Sequence, residues 1–206
     1  MLDEYSSAIV HIIDDDESVR SALQRLFRSV GIQARSYDAA QKFIAEKGAE
    51  VPGCIVLDVR LPGIGGLEFQ EQLADFGINL PIIMITGHGD VPMTVRAMKA
   101  GAVDFLSKPF RDQDLLDAVA SALARDRARR ASDAEAEVLR ERFRLLSPRE
   151  QEVMMLATAG LMNKQIAGRL GLSEVTVKIH RRAAMLKMEA ETLAELVRMA
   201  DKIGRP

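Results

Sequence analysis

The sequence predicts an α/β fold, a doubly wound parallel sheet of five strands, joined to an all-α domain. Three observations predict it. Short apolar runs alternate with helically spaced apolar residues through the first half. Acids and one lysine end separate runs, where an open parallel sheet gathers its ligands. From about Asp112 onward only helical periodicity remains.

The expected strands are Ala8–Ile13, Ile32–Tyr37, Cys54–Leu57, Ile82–Thr86 and Val103–Ser107. The continuous apolar runs fit strands buried on both faces, whereas Ile32–Tyr37 alternates apolar and polar and reads as an edge. Between the first two strands, Val19, Leu23, Leu26, Phe27 and Val30 follow a helical period that Gly31 ends. After Asp112, Leu115, Leu116, Val119 and Leu123 form an apolar stripe. The stripe then thins into Arg127, Arg129, Arg130, Asp133, Glu135 and Glu137, so residues 126–144 read as a charged, solvated helical linker. Ser147-Pro148-Arg149-Glu150 is a helix start with a capping box. Helices are expected at about 148–159, 164–170, 174–188 and 191–203, punctuated by Gly160 and Gly171. The domains are therefore 1–125, a linker 126–144, and 145–206.

Of the 206 residues, 48% are hydrophobic, enough for two packed cores; Trp is absent, so aliphatic residues and Met must fill them. The net charge of -2 hides an asymmetry. Residues 1–125 hold 12 Lys+Arg against 18 Asp+Glu, and residues 126–206 hold 16 against 12. A polyanion would bind the second half. The single cysteine, Cys54, sits in a core-type strand and permits no internal disulfide. Met1-Leu2-Asp3-Glu4-Tyr5 lacks a signal-peptide pattern and no run is long enough to span a membrane, so a cytoplasmic location is expected.

Asp58 ends the run Cys54-Ile55-Val56-Leu57, Asp14, Asp15 and Asp16 follow Ile13, Thr86 ends the fourth run, and Lys108 follows the fifth. A phosphoryl group needs an acceptor and positive charge around its oxygens. Asp58 suits the acceptor, Asp14 and Asp15 suit Mg²⁺, a hard ion that prefers carboxylates, and Lys108 suits the fixed cation, with the Thr86 hydroxyl beside it. Asp16 reads as a helix cap. In the second half, Lys164, Arg169, Lys178, Arg181, Arg182 and Lys187 face one acid, Glu174, between Leu161 and Met188. A short helix, a turn at Gly171-Leu172 and a basic second helix capped by Ser173 suit entry into the major groove. The core face of that second helix is expected at Val175, Ile179 and Ala183 or Leu186, with Thr176, Lys178, Arg181 and Arg182 exposed.

The stretches Ile13-Asp14-Asp15-Asp16, Leu57-Asp58-Val59-Arg60-Leu61-Pro62-Gly63, Thr86-Gly87-His88-Gly89-Asp90 and Lys108-Pro109-Phe110 make residues 8–120 resemble a response-regulator receiver domain of the CheY-like fold, with strand order 2-1-3-4-5. Thr86-Gly87-His88-Gly89-Asp90-Val91-Pro92-Met93 and the stretch to Phe105 resemble the FixJ branch, which makes His88 a surface loop residue. The resemblance implies that Asp58 receives its phosphoryl group from a histidine kinase. It makes Asp15, Asp58 and the Arg60 carbonyl direct Mg²⁺ ligands, puts Asp14 behind a bound water, sets Thr86 and Lys108 on the phosphoryl oxygens, and makes Phe105 the switch aromatic. Leu146-Ser147-Pro148-Arg149-Glu150, Asn163-Lys164-Gln165-Ile166-Ala167 and Leu172-Ser173-Glu174-Val175-Thr176-Val177-Lys178-Ile179-His180-Arg181 make residues 145–203 similar to the LuxR/NarL/FixJ DNA-binding domain.

That similarity puts Lys178, Ile179 and Arg182 at base edges, Thr176, His180 and Arg181 on backbone or neighbouring bases, and Asn163 and Lys164 near phosphate. It gives Leu193, Leu196, Val197, Ala200 and Ile203 to a final helix that is partly core and partly a two-fold contact on DNA. Met188-Glu189-Ala190 departs from the family's common Leu-Gly pair before that helix. The function expected is a phosphorylation-dependent transcription regulator, not an enzyme. Its partners would be a histidine kinase, double-stranded DNA, a second copy when phosphorylated, and RNA polymerase. Two rivals stand beside it. An Asp-nucleophile, Mg²⁺-dependent phosphatase favours an acid where Arg60 stands. An RNA-binding antiterminator is disfavoured by the tight turn and basic helix.

Overall fold

The computed structural model describes residues 8–46 and 51–204, so Met1–Tyr5 lies outside the described residues. The chain divides at Arg129/Arg130 into two compact units.

In the first unit the elements run β1 (Ile9–Ile13), α1 (Glu17–Ser29), β2 (Gln33–Tyr37), α2 (Ala40–Ala45), β3 (Gly53–Asp58), α3 (Gly66–Gln72), β4 (Ile82–Thr86), α4 (Val91–Lys99) and β5 (Asp104–Ser107), followed by α5 (Asp112–Arg144), which continues past the division. The strands are parallel, in the order β2-β1-β3-β4-β5. Every residue of β1, β3 and β4 is buried, whereas β2 alternates and forms an edge, as its sequence pattern predicts. Because successive side chains point to opposite faces, Ile13 and Leu57 join Phe43, Phe69 and Met84 in one core. Ile12 and Val56 join Phe27, Ile83, Leu115 and Val119 in the other. Phe27, Phe43 and Phe69 are each fully buried, and such a ring contributes about 2 to 3 kcal/mol. Cys54 lies in the second core, and burial pushes its thiol up, away from the reactive range.

Register positions the chemistry. Ile13 pairs with Leu57, and Asp58 pairs with Ile85, so the residues that follow β1 and β3 emerge side by side at one sheet edge. Thr86 pairs with Ser107, and the Lys108 amide donates to the Thr86 carbonyl at 2.7 Å, which carries Lys108 to the same edge. Asp16 caps α1, its carboxylate accepting from the Ser18 amide at 2.8 Å, as expected.

The second unit holds the rest of α5 with α6 (Pro148–Thr158), α7 (Asn163–Leu170), α8 (Glu174–Met188) and α9 (Leu193–Ile203). The capping box at Ser147 and Glu150 forms. Gly171 ends α7 at φ 66, a left-handed conformation that costs glycine little. The segment 126–144 is helical, but its expected solvated character fails at two places. Asp126 is buried and accepts from the Gly53 amide at 3.1 Å, so it anchors α5 to the start of β3. Further on, Ala136 and Leu139 are buried, Leu139 in a core with Leu146, Met154, Ala184, Met188, Leu196 and Ala200. The apolar stripe is thin there because a helix packed through two or three residues needs no more.

Candidate phosphoryl-acceptor site and nucleic-acid interface

At the sheet edge, Lys108 Nζ lies 2.6 Å from Asp14 Oδ2 and 2.7 Å from Asp58 Oδ2. Asp14 is fully buried and Asp58 is 7% exposed. Asp15 is exposed. Asp14, Asp15 and Asp58 offer carboxylate oxygens within 4.8 Å of one another, which fits a hard divalent cation. Burial pushes the Asp14 carboxyl above its usual range, against the opposing pull of Lys108 and of the Asp16 amide. Burial alone would lower Lys108, but its hydrogen bonds to Asp14 and Asp58 outweigh that and hold the ammonium above its ordinary value. Lys108 therefore supplies a fixed cation to the site at neutral pH. Asp58 Oδ1 also accepts from the Arg60 amide at 3.0 Å, which bends the chain around the acid.

Thr86 is fully buried, and its hydroxyl oxygen accepts from the His88 amide at 3.2 Å. Phe105 is half-buried against the first core, one strand from Thr86. His88 is exposed in the loop after β4, where the sequence places it.

Two contributors escaped the sequence reading. Arg20, on α1, donates from Nη1 to the carbonyls of Asp14 and Asp15 at 2.9 Å each, so it fixes the acidic loop's backbone. Its only sequence signal is a basic residue one and a half turns after the acids. Gly66 abuts Asp58: a Cβ there would stand 2.1 Å from the Asp58 carbonyl oxygen, so only glycine allows α3 to start so close.

In the second unit the expected core face of α8 needs correction. Val175, Ile179 and Leu186 are 66%, 61% and 70% exposed, and Ala183 is half-buried; the buried residues are Val177, Ala184 and Met188. Positions 175, 179 and 186 share one stripe with Lys178 and Arg182, which are also exposed. The apolar and cationic residues thus belong to one solvent face, and the core is reached from the opposite side by smaller or more flexible side chains. Thr176, His180 and Arg181 are half-buried. Arg181 donates to Asn163 Oδ1 at 3.2 Å, tying α8 to the start of α7, while Lys164 is exposed beside it. In α9, Leu196 and Ala200 are buried and Leu193, Val197 and Ile203 half-buried.

An acid pocket with its lysine on a five-stranded parallel sheet, and a helix-turn-helix unit, define a two-domain signalling regulator. Residues 10–120 match the response regulator receiver domain, and residues 144–200 match the luxR family of bacterial regulatory proteins. The chain belongs to the two-component response regulators of the FixJ/NarL, LuxR-type, family. It is 55% identical to nodulation protein W of Bradyrhizobium diazoefficiens over 97% of this chain and 88% of that protein. It is 44% identical to the transcriptional regulatory protein FixJ of Rhizobium meliloti over 93% of this chain and 94% of that one. Among solved structures it resembles the response regulator StyR, at 48% identity and TM-score 0.78 over 95% and 99% of the two chains. Full-length FixJ from B. japonicum matches at 41% identity and TM-score 0.58 over 96% and 98%. The family is one of transcriptional regulators rather than enzymes, and neither the phosphatase nor the antiterminator reading gains support. The pair of domains implies a histidine kinase upstream and DNA downstream. No helix among the described residues is long and apolar enough to cross a membrane.

Proposed function

We propose that Asp58 is the phosphoacceptor of a cytoplasmic transcription regulator, most simply an activator, and that its phosphorylation promotes dimerisation and DNA binding. The observation that carries this reading is Lys108 bridging Asp14 and Asp58 at one sheet edge. A carboxylate oxygen of Asp58 attacks the phosphorus of a kinase phosphohistidine. The P–N bond breaks, its electrons return to the imidazole, and an acyl phosphate remains. Lys108 then neutralises phosphoryl oxygens, and the Thr86 hydroxyl moves toward them with Phe105 following. Asp15, Asp58 and the Arg60 carbonyl would hold Mg²⁺ directly and Asp14 through water; the ion supplies further charge neutralisation.

Residues 1–125 receive the signal, 126–144 connect and 145–206 read DNA. The face of α4 and β5 is the dimerisation surface: Val91, Val95 and Met98 are 76%, 45% and 45% exposed there. Two copies then place Lys178, Ile179 and Arg182 against base edges of a near-palindromic site, with Thr176, His180, Arg181, Asn163 and Lys164 on backbone or neighbouring groups. RNA polymerase is the natural later partner.

The test compares wild type with Asp58→Asn, full chain, with and without acetyl phosphate and Mg²⁺. Dimer fraction comes from sedimentation, and affinity is measured for a duplex selected from a random pool. Wild type should bind at least about tenfold more tightly when phosphorylated, through the effective concentration a dimer confers, and Asp58→Asn should not change. Equal responses in both proteins would sink the assignment.

A further inference from the structure

Gly89 lies three residues beyond Thr86 in the loop between β4 and α4. Its φ is not positive, so the backbone there does not demand glycine. Space does. A Cβ on Gly89 would stand 2.9 Å from Phe105 Cε1, 3.0 Å from Thr86 Cγ2 and 3.2 Å from Ser107 Oγ, all inside the 3.4 Å of ordinary contact. Two of these three atoms belong to the pair read above as the switch. Nearby Gly87 offers a contrast: a Cβ there meets nothing within 4 Å.

We propose that Gly89 is a positioning residue for the phosphorylation switch, its missing side chain being the space that the Phe105 ring edge and the Thr86 methyl occupy in this arrangement. The inference rests on the reading of Asp58, Thr86 and Phe105 as acceptor and switch. Of the two nearest crowding atoms, the ring edge moves more cheaply, because it turns about χ1, whereas Thr86 is β-branched and its hydroxyl is held by the His88 amide. A methyl group at 89 therefore penalises the present ring position, and a ring turned away from it escapes that contact. A ligand-driven equilibrium shifts by as much as one state is penalised relative to the other. Alanine at 89 moves the protein toward its phosphorylated arrangement without any new contact to the phosphoryl group.

The experiment follows dimer fraction of the full chain against acetyl phosphate at fixed Mg²⁺, for wild type, Gly89→Ala, Gly87→Ala, Phe105→Leu, and Gly89→Ala with Phe105→Leu. Overpacking of this size predicts a midpoint about tenfold lower for Gly89→Ala. Gly87→Ala should match wild type, and the Gly89→Ala shift should shrink when Phe105 is leucine. Thermal midpoints are measured alongside, since a merely structural role lowers them without moving the acetyl phosphate midpoint. An unchanged or higher midpoint in folded Gly89→Ala overturns the proposal, as does an equal shift with and without the Phe105 ring. A wild type that ignores acetyl phosphate overturns the underlying reading instead. A responsive wild type beside an unshifted Gly89→Ala overturns this inference alone.

Discussion

His11 shows what a single residue can hide inside an apolar run. It occupies the middle of β1, fully buried, with its ring stacked on Tyr37 at 5.9 Å and edge-on to Phe43 at 5.0 Å. Its Nδ1 lies 3.3 Å from the Tyr37 hydroxyl, and its Nε2 is buried with no hydrogen-bond partner. Burial, reinforced by the Arg35 charge, pushes the imidazole down from 6.5 to about 4. Above pH 6.5 neither the folded nor the unfolded chain protonates this ring, and the packing counts in full. As pH falls from 6.5 toward 4, the unfolded chain takes up a proton that the fold refuses, at a loss of up to about 3 kcal/mol. Denaturant midpoints, followed by tyrosine near-ultraviolet circular dichroism from pH 7 to pH 4.5, should fall more steeply for wild type than for His11→Phe. Parallel curves would remove His11 from the acid sensitivity. At this scale the sequence disclosed the residues whose chemistry is written at strand ends: Asp14, Asp15, Asp58, Thr86 and Lys108. It concealed His11, Arg20, Gly66 and Gly89, because their roles depend on what a three-dimensional neighbour leaves unfilled or unpaired.

Among the elements, the strands and helices were legible because short continuous apolar runs alternate with segments of 3.6-residue period in this chain, and the caps at Asp16, Ser147 and Ser173 mark where helices begin. The face of α8 was not, because apolar residues lie on both of its sides. Reading Val175 and Ile179 as core follows from hydrophobicity alone, and only packing shows that Val177, Ala184 and Met188 fill the interior. The end of α8 carries a second departure from pattern. Glu189 adopts φ 57, the left-handed position usually given to glycine, and ion-pairs with Arg142 at 2.5 Å. An ion pair with one partner half-buried and the other exposed contributes about 1 kcal/mol or less. Since neither Ala nor Gly retains the ion pair, their difference isolates the strain. Glu189→Gly should be more stable than Glu189→Ala by about 1 kcal/mol, measured as the midpoint difference for the second unit's transition. Equal stabilities would mean that the helix end relaxes away from the left-handed conformation.

For the molecule as a whole, the charge asymmetry separates two tasks, and it also supplies a way to count subunits on DNA. Lys164 is exposed at the first turn of α7, beside the Asn163–Arg181 link, which suits a phosphate contact more than base readout. Each phosphate contact released with its counterion contributes about 0.9 to the slope of log affinity against log salt. If one copy of the chain occupies the site, Lys164→Ala should flatten that slope by about 0.9; if two copies do, by about 1.8. Base preference should survive, because a phosphate contact weakens all sequences alike, whereas Arg182→Ala should relax discrimination at one position in each half-site. The measurement is affinity from 50 to 300 mM salt, for the acetyl phosphate-treated protein on the selected duplex and on a scrambled one. A flattening near 1.8 on the selected duplex, falling to about 0.9 on a duplex shortened to a single half-site, is the result expected of a regulator that becomes two-fold only through its phosphorylated receiver. An unchanged slope would take Lys164 off the phosphate backbone. A flattening of 0.9 on the intact site would leave one copy bound there and separate DNA binding from the dimerisation assigned to α4 and β5.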